Sequence, residues 1–121
     1  MSGIRDLKDF LDHSHSPYHA VANLAARLDA DGYTRLSEGE TWKLEKGGKY
    51  YFTRGGCAVF AFRIPTADPV GFTIAAAHSD RPSFKLKENG VLEGKYTRLS
   101  VEGYGGMLIG TWLGRPLSLA G

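Results

Sequence analysis

The sharpest group of chemistry-bearing residues in this chain is His78-Ser79-Asp80. In an extended segment residues i and i+2 point the same way, so Asp80 can reach one imidazole nitrogen of His78 while the other faces a metal ion. A carboxylate in that place fixes the tautomer and orientation of a metal-binding histidine and raises its basicity. The three residues follow Gly71–Ala77, which reads as a buried strand whose alanines leave room for a close neighbour. In open α/β sheets, ligands collect just past the carboxyl ends of strands. An ordinary polar pair at a strand end explains the same spacing. On spacing alone it is the commoner explanation, because His-x-Asp is a short pattern with frequent chance matches.

The other candidates read more plainly. His13, His15 and His19 cluster near the start, but Pro17 disfavours the helical geometry that would bring His15 and His19 together. No nearby cysteine completes a ligand set, so a solvated helix junction is preferred. Cys57 lies among small and apolar residues and reads as a buried, inert thiol. Gly103-Tyr-Gly-Gly106 lacks the spacing and the ending of a phosphate loop, and turns explain it better. Lys85 and Lys87 share one strand face and are suited to an anionic group, although a solvated edge is commoner. Tyr50, Tyr51, Phe52, Phe60 and Phe62 alternate as core residues do, rather than as a base-stacking platform.

The elements that must position these residues begin with helices. Ile4, Leu7, Phe10 and Leu11 fall on one face. Ser16 is suited to cap a second helix, with Pro17 at its first position. Val21, Leu24, Ala25 and Leu28 continue the helical spacing, and Gly32 is placed to end it in a left-handed cap followed by Tyr33. Tyr50–Arg54, Gly55-Gly56 and Cys57–Ile64 read as a β-hairpin. Both faces of its second strand are largely apolar, which predicts an interior strand. Pro65–Pro69 is a loop. Beyond the His78 segment, glycines separate short strands expected at Ser83–Lys87, Val91–Tyr96 and Leu99–Glu102. Two helices followed by a strand-rich remainder indicate an α/β or α+β arrangement.

Composition narrows the classes. With 121 residues the chain is one domain or a piece of one. A hydrophobic content of 42% and a charged content of 23% exclude a disordered or collagen-like chain. A net charge of +2 does not argue for nucleic acid. The apolar stretch at residues 72–77 is far below the roughly 20 residues of a membrane span. One cysteine rules out an intramolecular disulfide framework and fits a reducing compartment, and the start has no apolar signal core. A cytoplasmic protein is expected. The final Trp112–Gly121 stretch ends inside an apolar pattern, as a cut does, without the polar tail common at termini.

Four collinear segments carry a resemblance that spans essentially the whole chain. Phe72-Thr-Ile-Ala-Ala-Ala-His-Ser-Asp-Arg-Pro-Ser-Phe-Lys-Leu-Lys87 resembles the first metal-ligand segment of the aspartyl aminopeptidase family of zinc metallopeptidases. Ser14-His-Ser-Pro-Tyr-His-Ala-Val21 is similar to the start of the family's N-terminal helix, and Trp42–Phe52 to its first hairpin. Val101-Glu-Gly-Tyr-Gly-Gly106 through Trp112, with Arg115–Gly121, resembles the start of the region that follows. Four such segments are far more specific than His-x-Asp alone, and they reverse the weighing of His78.

The resemblance implies that His78 is a zinc ligand and that Asp80 is the carboxylate that orients it, supporting catalysis without being the general base. It implies hydrolytic removal of N-terminal amino acids, acidic ones preferred, from peptide substrates. It further implies two zinc ions per active site, a glutamate base and assembly into large homo-oligomers. The expected fold is the N-terminal part of an α/β/α catalytic domain over residues 1–90. The start of a β-rich oligomerisation domain is expected over 91–121. Gly114 stands where relatives often carry Asp, and Arg81 is assigned no role. Family members are several-fold longer, and their remaining ligands and base lie beyond this chain. A lone His78 holds zinc weakly, so the isolated chain is expected to be inactive. Two other readings remain. One is a non-enzymatic relic or interaction module that associates with full-length relatives. The other is a small module binding acidic peptides through Arg81, Lys85 and Lys87.

Overall fold

A computed structural model describes residues 2–121. The described residues divide into two compact units, the first running to Asp80 and including Ala120–Gly121, the second Arg81–Leu119.

The first unit opens with helix α1, Ser2–Asp12, and helix α2, Pro17–Ala30. Ser16 caps α2 as its type predicts: its backbone is extended and its hydroxyl accepts from the His19 amide. At the other end Gly32 takes a φ of +77°, which costs glycine nothing. The Tyr33 amide donates to the Leu28 carbonyl and the Gly32 amide to Asp29, so two orphan carbonyls are satisfied by the paired cap expected there. Arg27 of α2 grips Asp6 of α1 through two side-chain hydrogen bonds of 2.9 and 2.8 Å, with Phe10 beneath its guanidinium.

Three strands follow: β1, Thr34–Arg35; β2, Lys49–Arg54; and β3, Ala58–Arg63. β2 is central, parallel to β1 and antiparallel to β3. Successive side chains of β2 point to opposite faces. Phe52 stacks on Phe60 of β3, Tyr50 packs tilted against Phe62, and Trp42 packs on Phe52 and Phe62. On the other face Tyr51 is fully buried, and α2 packs on β2 and β3. Tyr51 Oη donates to Asp29 Oδ1 of α2. Ala20, Val21, Tyr50 and Tyr51 are the buried core among the described residues.

Two expectations about this unit are corrected. β3 is an edge strand rather than an interior one, and Phe60 is 46% exposed. Gly71–Ala77 forms no strand and is not buried: Phe72 is 92% exposed and Ile74 86%. A strand exists only with a ladder partner, and no described residue pairs with this segment. An apolar alternation reports what a face is made of, not whether a neighbour is there to cover it.

The second unit is an antiparallel pair, β4 (Ser83–Leu92) and β5 (Arg98–Tyr104), followed by a short 3₁₀ turn at Ile109–Thr111. The expected strands at Ser83–Lys87 and Val91–Tyr96 are one strand ending at Leu92. It bulges where the register shifts between Leu86 and Val91. A Cβ at Gly90 would sit 2.8 Å from the Lys87 carbonyl oxygen and 2.9 Å from that of Ser100, so only glycine fits the bulge. Phe84 meets Trp112 edge to face. No helix among the described residues is long and apolar enough to cross a membrane.

Candidate metal centre

His78 and Asp80 meet as their spacing predicts. His78 Nδ1 lies 2.8 Å from Asp80 Oδ1. An ionised carboxylate only accepts, so Nδ1 carries the proton and donates. In the neutral imidazole Nε2 then holds a lone pair. The His78 side chain is 92% exposed, so that lone pair is open to an incoming cation. Asp80 is the more enclosed partner, at 30%. This is the carboxylate–imidazole arrangement that prepares a histidine for a metal.

Ser79 points the other way. Its hydroxyl donates to the carbonyl oxygen of Cys57 at 2.9 Å, tying the His78 segment to the turn of the β2–β3 hairpin. That contact escapes sequence reading because 22 residues separate the partners. The signal that could have found it is the alternation itself: with residues 78 and 80 on one side, residue 79 faces the other.

The turn is well defined. Gly55 and Gly56 have φ of +57° and +71°, and the Cys57 amide donates back to the Arg54 carbonyl. Cys57 is exposed, contrary to the expected buried thiol, because it is the last residue of the turn and the strand alternation begins at Ala58. Arg54, which precedes the turn, donates to Glu38 and holds that carboxyl below the usual carboxylate range.

The remaining candidates stay apart from this pair. His15 and His19 do touch, edge to face with centroids 5.8 Å apart, although His15 lies outside the helix, so the expectation that Pro17 separates them is corrected. His19 Nδ1 is engaged by the Ser16 hydroxyl at 2.7 Å, and His13 Nδ1 donates to the Asp9 carbonyl. In the second unit Lys85 stands opposite Glu102 in the β4–β5 ladder, and Arg81, Lys85 and Lys87 are exposed. Gly103 and Tyr104 end β5, and Gly105 turns the chain with a φ of +74°.

The donor chemistry fits one ligand position of a zinc ion: an exposed imidazole nitrogen with its tautomer set by a carboxylate. No group of three or more His, Cys, Asp or Glu able to hold a metal occurs among the described residues.

The chain is 44% identical over 118 residues to a probable M18 family aminopeptidase 2 of Pseudomonas paraeruginosa (strain PA7), covering 95% of this chain and 28% of that protein. It is 39% identical over 120 residues to the protein of the same description in Clostridium novyi (strain NT), covering 96% of this chain and 28% of that one. The chain thus spans little more than a quarter of these relatives.

Among solved structures, it resembles that of the Ape4 and Nbr1 complex, with a TM-score of 0.87 and 38% identity over 91% of this chain and 22% of the other. It also resembles the S. cerevisiae mApe1 dodecamer, with a TM-score of 0.84 and 30% identity over 92% and 27%. Both agree with the α/β arrangement read from the sequence. The model of the aminopeptidase I zinc metalloprotease (M18) family matches residues 10–121. The chain belongs to the M18 family of zinc metalloproteases, the aminopeptidase I family.

Proposed function

We propose that this chain is the N-terminal part of a metallo-aminopeptidase that removes N-terminal residues, acidic ones preferred, from peptides. The observation that carries the reading is the His78–Asp80 pair, in a chain whose family is that of zinc metalloproteases. His78 Nε2 would be one ligand of the ion. Asp80 holds the imidazole in the ligating tautomer and stabilises positive charge that develops on it. The ion, when bound, supplies Lewis acidity toward a peptide carbonyl. Asp80 faces His78 Nδ1 and so acts as an orienting carboxylate, not as the general base.

The start of a β-rich oligomerisation domain is proposed over residues 91–121. Homo-oligomeric assembly is part of the same proposal, and the dodecameric mApe1 structure supports it. A cytoplasmic location fits the single cysteine. The isolated chain is proposed to be inactive, since one imidazole cannot hold a catalytic zinc tightly.

The test is a chimera in which residues 10–121 replace the matching segment of the Pseudomonas paraeruginosa relative. Release of amino acid from an aspartyl-anilide substrate is expected, with loss of release on His78→Ala. Full activity of the His78→Ala chimera would overturn the assignment. Release by the isolated chain would overturn its inactivity.

A further inference from the structure

The hydrogen bond between His78 and Asp80 lies within one short segment, so it sets the tautomer without setting where the pair points. That segment follows a stretch with no ladder to fix it. Direction must come from a contact that leaves the segment, and the Ser79 hydroxyl makes one, donating to the Cys57 carbonyl oxygen at 2.9 Å. The acceptor is itself held. Cys57 closes a turn whose two glycines are both at positive φ, and its amide returns to the Arg54 carbonyl. Tyr18 of α2 lies against that turn: a Cβ at Gly56 would be 3.4 Å from Tyr18 Cδ1. α2 therefore flanks the same turn that takes the Ser79 hydrogen bond, and Ser79 stands between the two residues of the His78–Asp80 pair.

We infer that Ser79 is a positioning residue for His78, and that the Gly55-Gly56-Cys57 turn is the seat from which the imidazole is aimed. The value of this role rests on the reading of His78 as a metal ligand. The geometry itself does not. Alternation makes the arrangement economical: His78 and Asp80 bond each other on one side of an extended segment, and the residue between them anchors on the opposite side. Threonine retains the hydroxyl and alanine does not, which separates the hydrogen bond from the bulk of the side chain.

The experiment uses the full 121-residue chain, isotopically labelled, as wild type, Ser79→Ala and Ser79→Thr. Two readouts are taken: proton contacts from residues 78–80 to the Gly55–Cys57 turn, by NMR of the chain, and zinc affinity of the chimera with the Pseudomonas paraeruginosa relative carrying the same three residues at position 79, where further ligands make the aim of the imidazole matter. Ser79→Ala is expected to lose the contacts to the turn in the chain and to weaken zinc affinity of the chimera about 10-fold, the lower end of what losing an outer partner of a metal ligand costs. Its melting temperature should stay near that of wild type, and Ser79→Thr should restore both readouts. Contacts retained in Ser79→Ala would overturn the inference, as would an unchanged zinc affinity or failure of threonine to rescue. Should His78→Ala leave the zinc affinity of the chimera unchanged, the ligand assignment fails separately. The contact arm then decides the positioning role alone: lost in alanine and kept in threonine supports it, and unchanged contacts sink it.

Discussion

Tyr51 Oη donates to Asp29 Oδ1 at 2.7 Å, joining the central strand of the first unit to the last turn of α2. Tyr51 has no exposed surface, while Asp29 remains in contact with solvent. Removing the hydroxyl leaves Asp29 free to rehydrate, so Tyr51→Phe should cost only about 1 kcal/mol. Tyr51→Ala should cost roughly 3–5 kcal/mol, because it also opens a cavity between helix and sheet.

The same pair sets an alkaline limit. Burial first, and then the Asp29 carboxylate, raise the Tyr51 hydroxyl above its ordinary value of 10.0. The folded state therefore holds its proton where the unfolded state releases it. This contribution is fully present below the ordinary tyrosine range and is lost as pH rises through and above it. Denaturant unfolding followed across alkaline pH should show a steeper decline in wild type than in Tyr51→Phe. Parallel profiles would contradict the assignment.

Asp80→Asn keeps the shape of the side chain but replaces an obligate acceptor with an amide that can also donate. The imidazole tautomer is then no longer imposed, and His78 Nε2 can carry the proton instead. Zinc affinity at His78 is expected to fall by roughly 10–100-fold. Titration followed at the His78 ring checks this. Unchanged affinity would show that the 2.8 Å contact with Asp80 does not govern ligation.

Gly56→Ala places a side chain on a backbone with φ of +71°, in a region that costs an L-residue roughly 1–2 kcal/mol. The added Cβ also comes to 3.4 Å from Tyr18 Cδ1, into van der Waals contact with the ring. A lower urea midpoint is expected, together with a displaced Cys57 carbonyl and weakened Ser79 contact. Gly56→Asn should lose less, since asparagine tolerates left-handed backbone better. Equal losses in both variants would point to crowding at Tyr18 instead.

These features divide by how local their causes are. Ser16 and Pro17 opening α2, Gly32 closing it, the glycines of the hairpin turn and the i, i+2 meeting of His78 with Asp80 all depend on residues within a turn or two of one another. Those were legible in the sequence. The Ser79–Cys57 bond, the exposure of Cys57 and the parallel pairing of β1 with β2 depend on where distant segments arrive, and no local spacing encodes that. Gly71–Ala77 shows the limit most plainly. Its residues are those of a buried strand, but burial belongs to the pair of surfaces, and the described residues include no partner for it. The candidate site divides the same way: a resemblance across four segments identifies His78 as a candidate, while the contact of Ser79 with Cys57 is visible only in three dimensions.

Ser16 tests the opening of α2 and, with it, the platform for Tyr18. Pro17 has no amide hydrogen, so the first donors needing a partner at this helix start are those of Tyr18 and His19. The Ser16 hydroxyl accepts from the His19 amide, and the Ser16 carbonyl takes the Ala20 amide at 3.0 Å. Ser16→Ala keeps the second bond and deletes the first, along with the 2.7 Å contact to His19 Nδ1. The expected cost is about 1 kcal/mol, and Ser16→Gly should lose only a few tenths relative to serine. Ser16→Asp should match wild type at neutral pH, since its carboxylate both caps and complements the helix dipole. Thermal unfolding of the three variants checks the order. Alanine equalling serine would mean that Pro17 alone is sufficient to start the helix.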